Sequence, residues 1–259
     1  MKIFWPSKNA STTFLKATLV VCFVVLPAVG LKACNNATVS QPVSVSSAPL
    51  AVHTSYFKDN NSRDFRSLDE SVTKDPNYDA FTIWFYHCFA DFQTEDEHID
   101  DTVGASTVRL KIKGVQMRLS CPVTIWLAQD SSALVREHEK GHVYICRKVY
   151  ELAPAVVRQA ASVVVGKSYN GMGSTLAEAR RMAITQAEGD IALVFREKIV
   201  DLADEISISY DNLCSNEISH GSIVNFSGGP SATLKSKRSQ QALADQACQQ
   251  VLDRAVKFL

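Results

Sequence analysis

The sequence predicts an α+β fold, because apolar residues recur with the two-residue period of strands in its first half and the 3.6-residue period of helices in its second. Strands first and helices afterwards argue for an N-terminal antiparallel sheet packed on the first of the long helices. The composition permits this: 259 residues, 46% of them hydrophobic, suffice to bury a real core.

Residues 80–92 are aromatic and strand-like. Residues 106–127 hold two apolar alternations separated by Lys113-Gly114, which reads as a hairpin turn. The acidic stretch 95–101 between them reads as a solvated loop. After Leu127 the period becomes helical, with Asp130 or Ser131 as N-cap candidate and Leu134, His138, Ile145, Val149 and Leu152 on one face. Pro154 ends or kinks this helix. A second helix is expected over 154–165, closed by Gly166, and a long amphipathic one over 175–209 with Ala183, Ala187, Ile191, Val194, Leu202 and Ile206 facing inward. Residues 210–221 are turn-rich, 222–236 read as a loop, and 239–258 as a terminal helix rich in Ala and Gln.

The N-terminus has the layout of a signal peptide over 1–30. Lys2, Lys8 and Lys16 precede an apolar run from 17 to 31, broken only by Pro27 and Gly30, with Ala28-x-Gly30 as a cleavage site. The run falls short of the roughly 20 apolar residues of a membrane span, so the chain is expected to be exported, periplasmic or secreted. A competing reading takes Leu31-Lys32-Ala33-Cys34 as a lipoprotein box, with the membrane as partner only if Cys34 is lipidated. Removing Cys22 leaves Cys34, Cys88, Cys121, Cys146, Cys214 and Cys248, enough for three disulfides in an oxidising compartment. Residues 31–52 form a flexible tether by composition, 53–236 the folded domain and 237–259 the C-terminal helix. With 27 basic and 27 acidic residues, nothing favours nucleic acid as a partner.

The chemistry is concentrated in Arg136-Glu137-His138-Glu139-Lys140-Gly141-His142. Histidines four apart sit one above the other on a helix, so both imidazoles can reach one Zn2+. Such zinc takes a third protein ligand and leaves a position open for water, whose pKa it lowers to about 7. Glu139, one residue round from His138, is placed to take that water's proton as it attacks a carbonyl. Peptide hydrolysis is the natural reaction, with a peptide or protein as substrate, added by edge pairing along the strand at 121–127.

The run Glu137-His138-Glu139-Lys140-Gly141-His142, preceded by a two-strand block and followed by long helices, resembles the bacterial exported proteins grouped as domain of unknown function 922, regarded as zinc-dependent proteases. The resemblance covers residues 55–221 and implies a zincin-like fold. In that family a late segment reads Tyr-Asp-x-x-Thr-x-His-Gly. Tyr210-Asp211 and His220-Gly221 match its ends, with extra residues including Cys214 between them and no threonine in the expected place.

For the third ligand the candidates are Glu151, Glu188, Glu205, Asp211 and His220. His220 leads as the only histidine after His142 and a loop residue, and Glu188 follows because it lies beside Gly189, where a close approach to the metal helix is feasible. Tyr210 offers a neutral donor to a developing oxyanion, and Asp211 a carboxylate to orient an imidazole. Gly141, costly inside a helix, predicts that another segment, near Gly189, crosses there. The competing function is a non-catalytic cell-envelope binding or assembly protein whose zinc site is structural or vestigial.

Overall fold

The computed structural model describes residues 2–6, 42–57, 78–220 and 239–256. The apolar run 17–31, Cys34 and the loop 222–236 lie outside the described residues.

Among the described residues, eight strands, β1 (Lys2–Pro6), β2 (Val43–Ser47), β3 (Ala51–Phe57), β4 (Tyr78–Trp84), β5 (His87–Thr102), β6 (Ala105–Ser120), β7 (Pro122–Ala128) and β8 (Ser168–Gly173), combine with four helices. These are α1 (Ala133–Val164), α2 (Leu176–Phe195), α3 (Asp201–His220) and α4 (Gln240–Val256), with a π-helical turn, Arg196–Val200, joining α2 to α3. The architecture is α+β. One sheet has the order β1-β4-β7-β3; the other has β2-β6-β5, with β8 also on β6. The sheets are mixed, not wholly antiparallel as expected, because β2 runs parallel to β6 and β3 parallel to β7. Part of the expected tether is therefore ordered, and Val43 is buried.

β6 is continuous through Lys113-Gly114. The expected turn is a bulge, since the register steps from Gln93↔Gly114 to Thr94↔Ile112 and leaves Lys113 over. The actual hairpin turns at Gly104, whose φ of 84° is the left-handed value that glycine tolerates. The acidic stretch is a strand, not a loop, because β6 supplies cations across the ladder. Lys113 Nζ is 3.0 Å from Glu95, Arg109 Nε 3.2 Å from Glu97, and Arg180 of α2 pairs with Asp96.

β7 lies between β4 and β3, paired on both sides, so residues 121–127 offer no free edge to a peptide. α1 starts at Ser132, one residue beyond the expected caps, whose hydroxyl accepts from Val135 N–H at 3.2 Å. It then runs unbroken through Pro154. Val149, Ala153, Val157, Ala160, Ala161 and Val164 keep one buried stripe across the proline, and this packing outweighs the lost backbone bond. Gly166, at φ 82°, follows its end as expected. Thr175 caps α2 by accepting from Glu178 N–H, while Glu178 Oε2 accepts from Ser174 N–H at 2.9 Å.

Residues 210–220 are helix, not turn. Ala203, Ile206, Ser207, Tyr210 and Cys214 fall on one face and are buried, so tertiary packing overrides the turn-prone composition. Cys88, Cys121, Cys146, Cys214 and Cys248 are free thiols, and no disulfide joins the described residues. Burial pushes Cys88 and Cys121 up to about 12, which keeps both as inert thiols. Among the described residues no helix is long and apolar enough to cross a membrane.

Candidate metal centre

α1 presents His138, Glu139 and His142 to the interior, each 3% exposed or less. The face they share continues the apolar stripe of the helix, so the folding of the core and the placing of these polar groups are one event. α3 crosses this face and brings Ser207, Tyr210 and Asp211, which recur at helical spacing. The Nε2 atoms of His138 and His142 are 3.1 Å apart, and Asp211 Oδ1 is 3.2 Å from each. Two imidazole nitrogens and a carboxylate oxygen thus form a nearly equilateral triangle, a group that could hold a metal ion.

The surrounding bonds orient these atoms. His142 Nδ1 lies 2.7 Å from Ser207 Oγ, a contact that fixes the ring with Nε2 facing His138 and Asp211. Thr82 on β4 donates its hydroxyl to Glu139 Oε2 at 2.6 Å. Trp84, two residues along the same strand face, stacks on His142 with centroids 6.2 Å apart.

Tyr210 packs against both histidines. Its ring stacks on His138 at 4.9 Å and meets His142 edge-on at 5.0 Å. Its hydroxyl lies 3.1 Å from the His138 carbonyl and 2.7 Å from Gln240 Oε1 on α4, so its single proton is already engaged inside the protein. Burial raises its pKa further, with Cys214 adding to the effect. It holds His138 in place.

His220 is the last residue of α3, and its side chain lies outside the described residues. Nine residues of helix separate it from Asp211, an axial rise of roughly 13 Å. Glu151 and Glu205 are exposed. Glu188 lines a separate cavity. The expected crossing at Gly141 exists, but its partner is Tyr210; a side chain at Gly189 would meet nothing.

Burial drives the electrostatics. Desolvation raises Glu139 to about 7, against the opposing pull of His142 and the Thr82 bond. Burial also raises Asp211, yet His142 and the bonds from both histidines hold it below the usual carboxylate range. For His142, burial favours the neutral ring, but Asp211 and Glu139 outweigh it and the pKa rises; for His138 burial prevails and the pKa falls.

Asp204, one turn before Ser207, is a poorly compensated carboxyl: Oδ1 is buried with no hydrogen bond, and burial, against the weaker opposing pull of Arg196, lifts it from 3.8 to about 7. Folded protein then binds the proton more tightly than unfolded chain, so stability falls as pH rises from about 4 to about 7. Asp204→Asn is expected to remove that slope and to be more stable above pH 7 by roughly 2 kcal/mol, with solvent screening allowed for. Urea melts at pH 4 and pH 8 measure this. An equal stability difference from wild type at both pH values would count against it.

Thr82, Ser207 and Gln240 carry no sequence motif. Only Ser207 had a readable signal, its spacing of four residues from Asp211. No family model, curated protein or solved structure matches the chain.

Proposed function

We propose that this chain is an exported zinc-dependent metallopeptidase of the kind the domain of unknown function 922 resemblance implies, with Asp211 in place of His220 as third ligand. The observation that carries the reading is the triangle of His138 Nε2, His142 Nε2 and Asp211 Oδ1, with sides of 3.1, 3.2 and 3.2 Å, beside Glu139. Tetrahedral zinc with Zn–N distances near 2.0–2.1 Å sets its ligand atoms about 3.3 Å apart, close to what these atoms already have. Asp211 Oδ1 is buried and faces the two Nε2 atoms at 3.2 Å, which fits an atom that would share a cation with them. Export rests on the N-terminal pattern alone.

Bound zinc supplies a Lewis acid that polarises the scissile carbonyl and activates water. The protein's own part is to deliver and receive protons. Thr82 fixes Glu139 through Oε2, leaving Oε1 to take the proton of the attacking water and pass it to the departing amine. An affinity for protons near neutrality suits both tasks.

The substrate edge moves from β7 to β4. β4 carries Thr82 and Trp84, and its outer side is paired antiparallel by Lys2–Pro6, with Ile3 opposite Thr82. If the leader is cut off as the sequence predicts, that edge is left for an extended peptide in the same antiparallel sense.

Elemental analysis tests the centre. Wild type is expected to hold one zinc, and His142→Ala and Asp211→Ala to bind it more than about 100-fold more weakly, beyond the loss seen for an orienting partner. His220→Ala is expected to keep its zinc. Equal zinc in all four proteins sinks the site, while loss in His220→Ala alone returns the third place to that histidine. Chelator-sensitive cleavage of an unfolded protein substrate by the zinc-loaded chain tests the activity. The non-catalytic reading draws on one observation, the near-complete burial of His138, Glu139 and His142, and predicts zinc without cleavage.

A further inference from the structure

Away from the metal centre, α2 carries a second buried acid. Glu188 is 8% exposed, and among the described residues it has no hydrogen bond and no ion pair. It lines a cavity of about 270 Å³ between α2 and the sheet of β5 and β6. Tyr86, in the link between β4 and β5, forms one wall with Cys88 and Met117 of the sheet, and Ile191 and Phe195 of α2 form the other. The π-helical turn, a feature often tied to function, adds Arg196 and Val200 at one end.

The other polar groups of the lining are turned to other tasks or stay neutral. Tyr86 donates its hydroxyl to the Cys146 carbonyl at 3.2 Å, and Arg196 Nε lies 3.7 Å from Asp201. Cys88 stays a neutral thiol. Among the described residues Glu188 is the one carboxyl in the lining, and desolvation raises its pKa, as expected for a carboxyl lacking a counter-charge. Two aromatic rings, Tyr86 on one side and Phe195 on the other, also line the cavity, which suits a cation as well.

We propose that this cavity binds a small organic amine, its ammonium group on Glu188 and its apolar body between Met117, Ile191 and Phe195. By proportion with a cavity of about 150 Å³ that takes benzene, the ligand has on the order of ten heavy atoms. The site shares no residue with the metal centre, so it stands or falls independently of the peptidase reading.

The probe is phenethylamine, compared with phenylethanol, its neutral counterpart of equal shape, on the zinc-loaded full chain. Titration is followed by calorimetry and by the methyl signal of isotope-labelled Met117. Saturable binding of one amine per chain is expected, with the alcohol at least about tenfold weaker and Glu188→Gln weaker for the amine by a similar factor. A Cβ at Gly189 meets nothing within 4 Å, so Gly189→Leu is expected to fold normally and to block the cavity, with Gly189→Ala as a milder variant. Zinc content is expected to stay unchanged in all variants. Equal affinity for amine and alcohol, wild-type affinity in Glu188→Gln, undiminished binding in a folded Gly189→Leu, or no saturable binding to wild type would each overturn the proposal.

Discussion

Glu139→Gln is expected to lose peptide cleavage by a factor of roughly 10²–10⁴, the range for removal of a general base, while keeping its zinc. The two halves of this result come from different atoms. The proposed ligands are His138, His142 and Asp211, which the substitution leaves alone. Glutamine has nearly the shape of glutamate, and its amide oxygen can still accept from Thr82, so the side chain stays where it is without the ability to take a proton. In the metal-free protein the same change acts on stability with the opposite sign. Glu139 is raised from 4.5 to about 7 in the fold, so the native state holds the extra proton across that window and loses stability as pH climbs through it. Above pH 7 the metal-free Gln variant is expected to be more stable than wild type by roughly 2–3 kcal/mol, and below pH 4 to match it. Full cleavage by the variant would mean that Glu139 is not the general base, whereas zinc without cleavage in the wild type itself would favour the non-catalytic reading. Loss of zinc would make Glu139 a ligand.

What the sequence made legible follows from the range of the interaction. His138, Glu139 and His142 are a local pattern on one helix, as are the Thr175 cap and the Gly166 stop, and such features can be read without knowing what packs against them. Asp211 is different. It reaches the metal centre because residues 210–220 stay helical, and they do so through burial of Tyr210 and Cys214 against α1 and α4, which no composition reveals. The acidic stretch of β5 similarly becomes a strand only because β6 places Arg109, Lys111 and Lys113 opposite it. Lys113-Gly114 was a real break in the pattern, but a break in a strand is met by a bulge as readily as by a turn. Thr82 was legible as a strand residue and illegible as the partner of Glu139, 57 positions away.

Gly141→Leu is expected to damage both stability and zinc binding, because Gly141 is where α3 touches the metal helix. A Cβ added there would meet the Tyr210 hydroxyl and ring, with Cε1 at 3.0 Å. Tyr210 has nowhere to retreat. It is fully buried, its ring lies on His138, and its hydroxyl is held between the His138 carbonyl and Gln240. Alanine in place of a helical glycine would ordinarily add about 1 kcal/mol, whereas here the overpacking is expected to cost 1–3 kcal/mol for Ala and more for Leu. Zinc affinity should fall with it, since Asp211 follows Tyr210 in the chain and must move when the ring moves. A double-mutant cycle isolates the contact. Tyr210→Phe removes the hydroxyl nearest the added carbon at the cost of its hydrogen bonds, so Gly141→Ala should be milder in the Phe background than in wild type, with a coupling of about 1 kcal/mol or more. Simple additivity, or a Gly141→Leu protein with wild-type stability and zinc, would mean that the close crossing of α1 and α3 does not set the geometry of the centre.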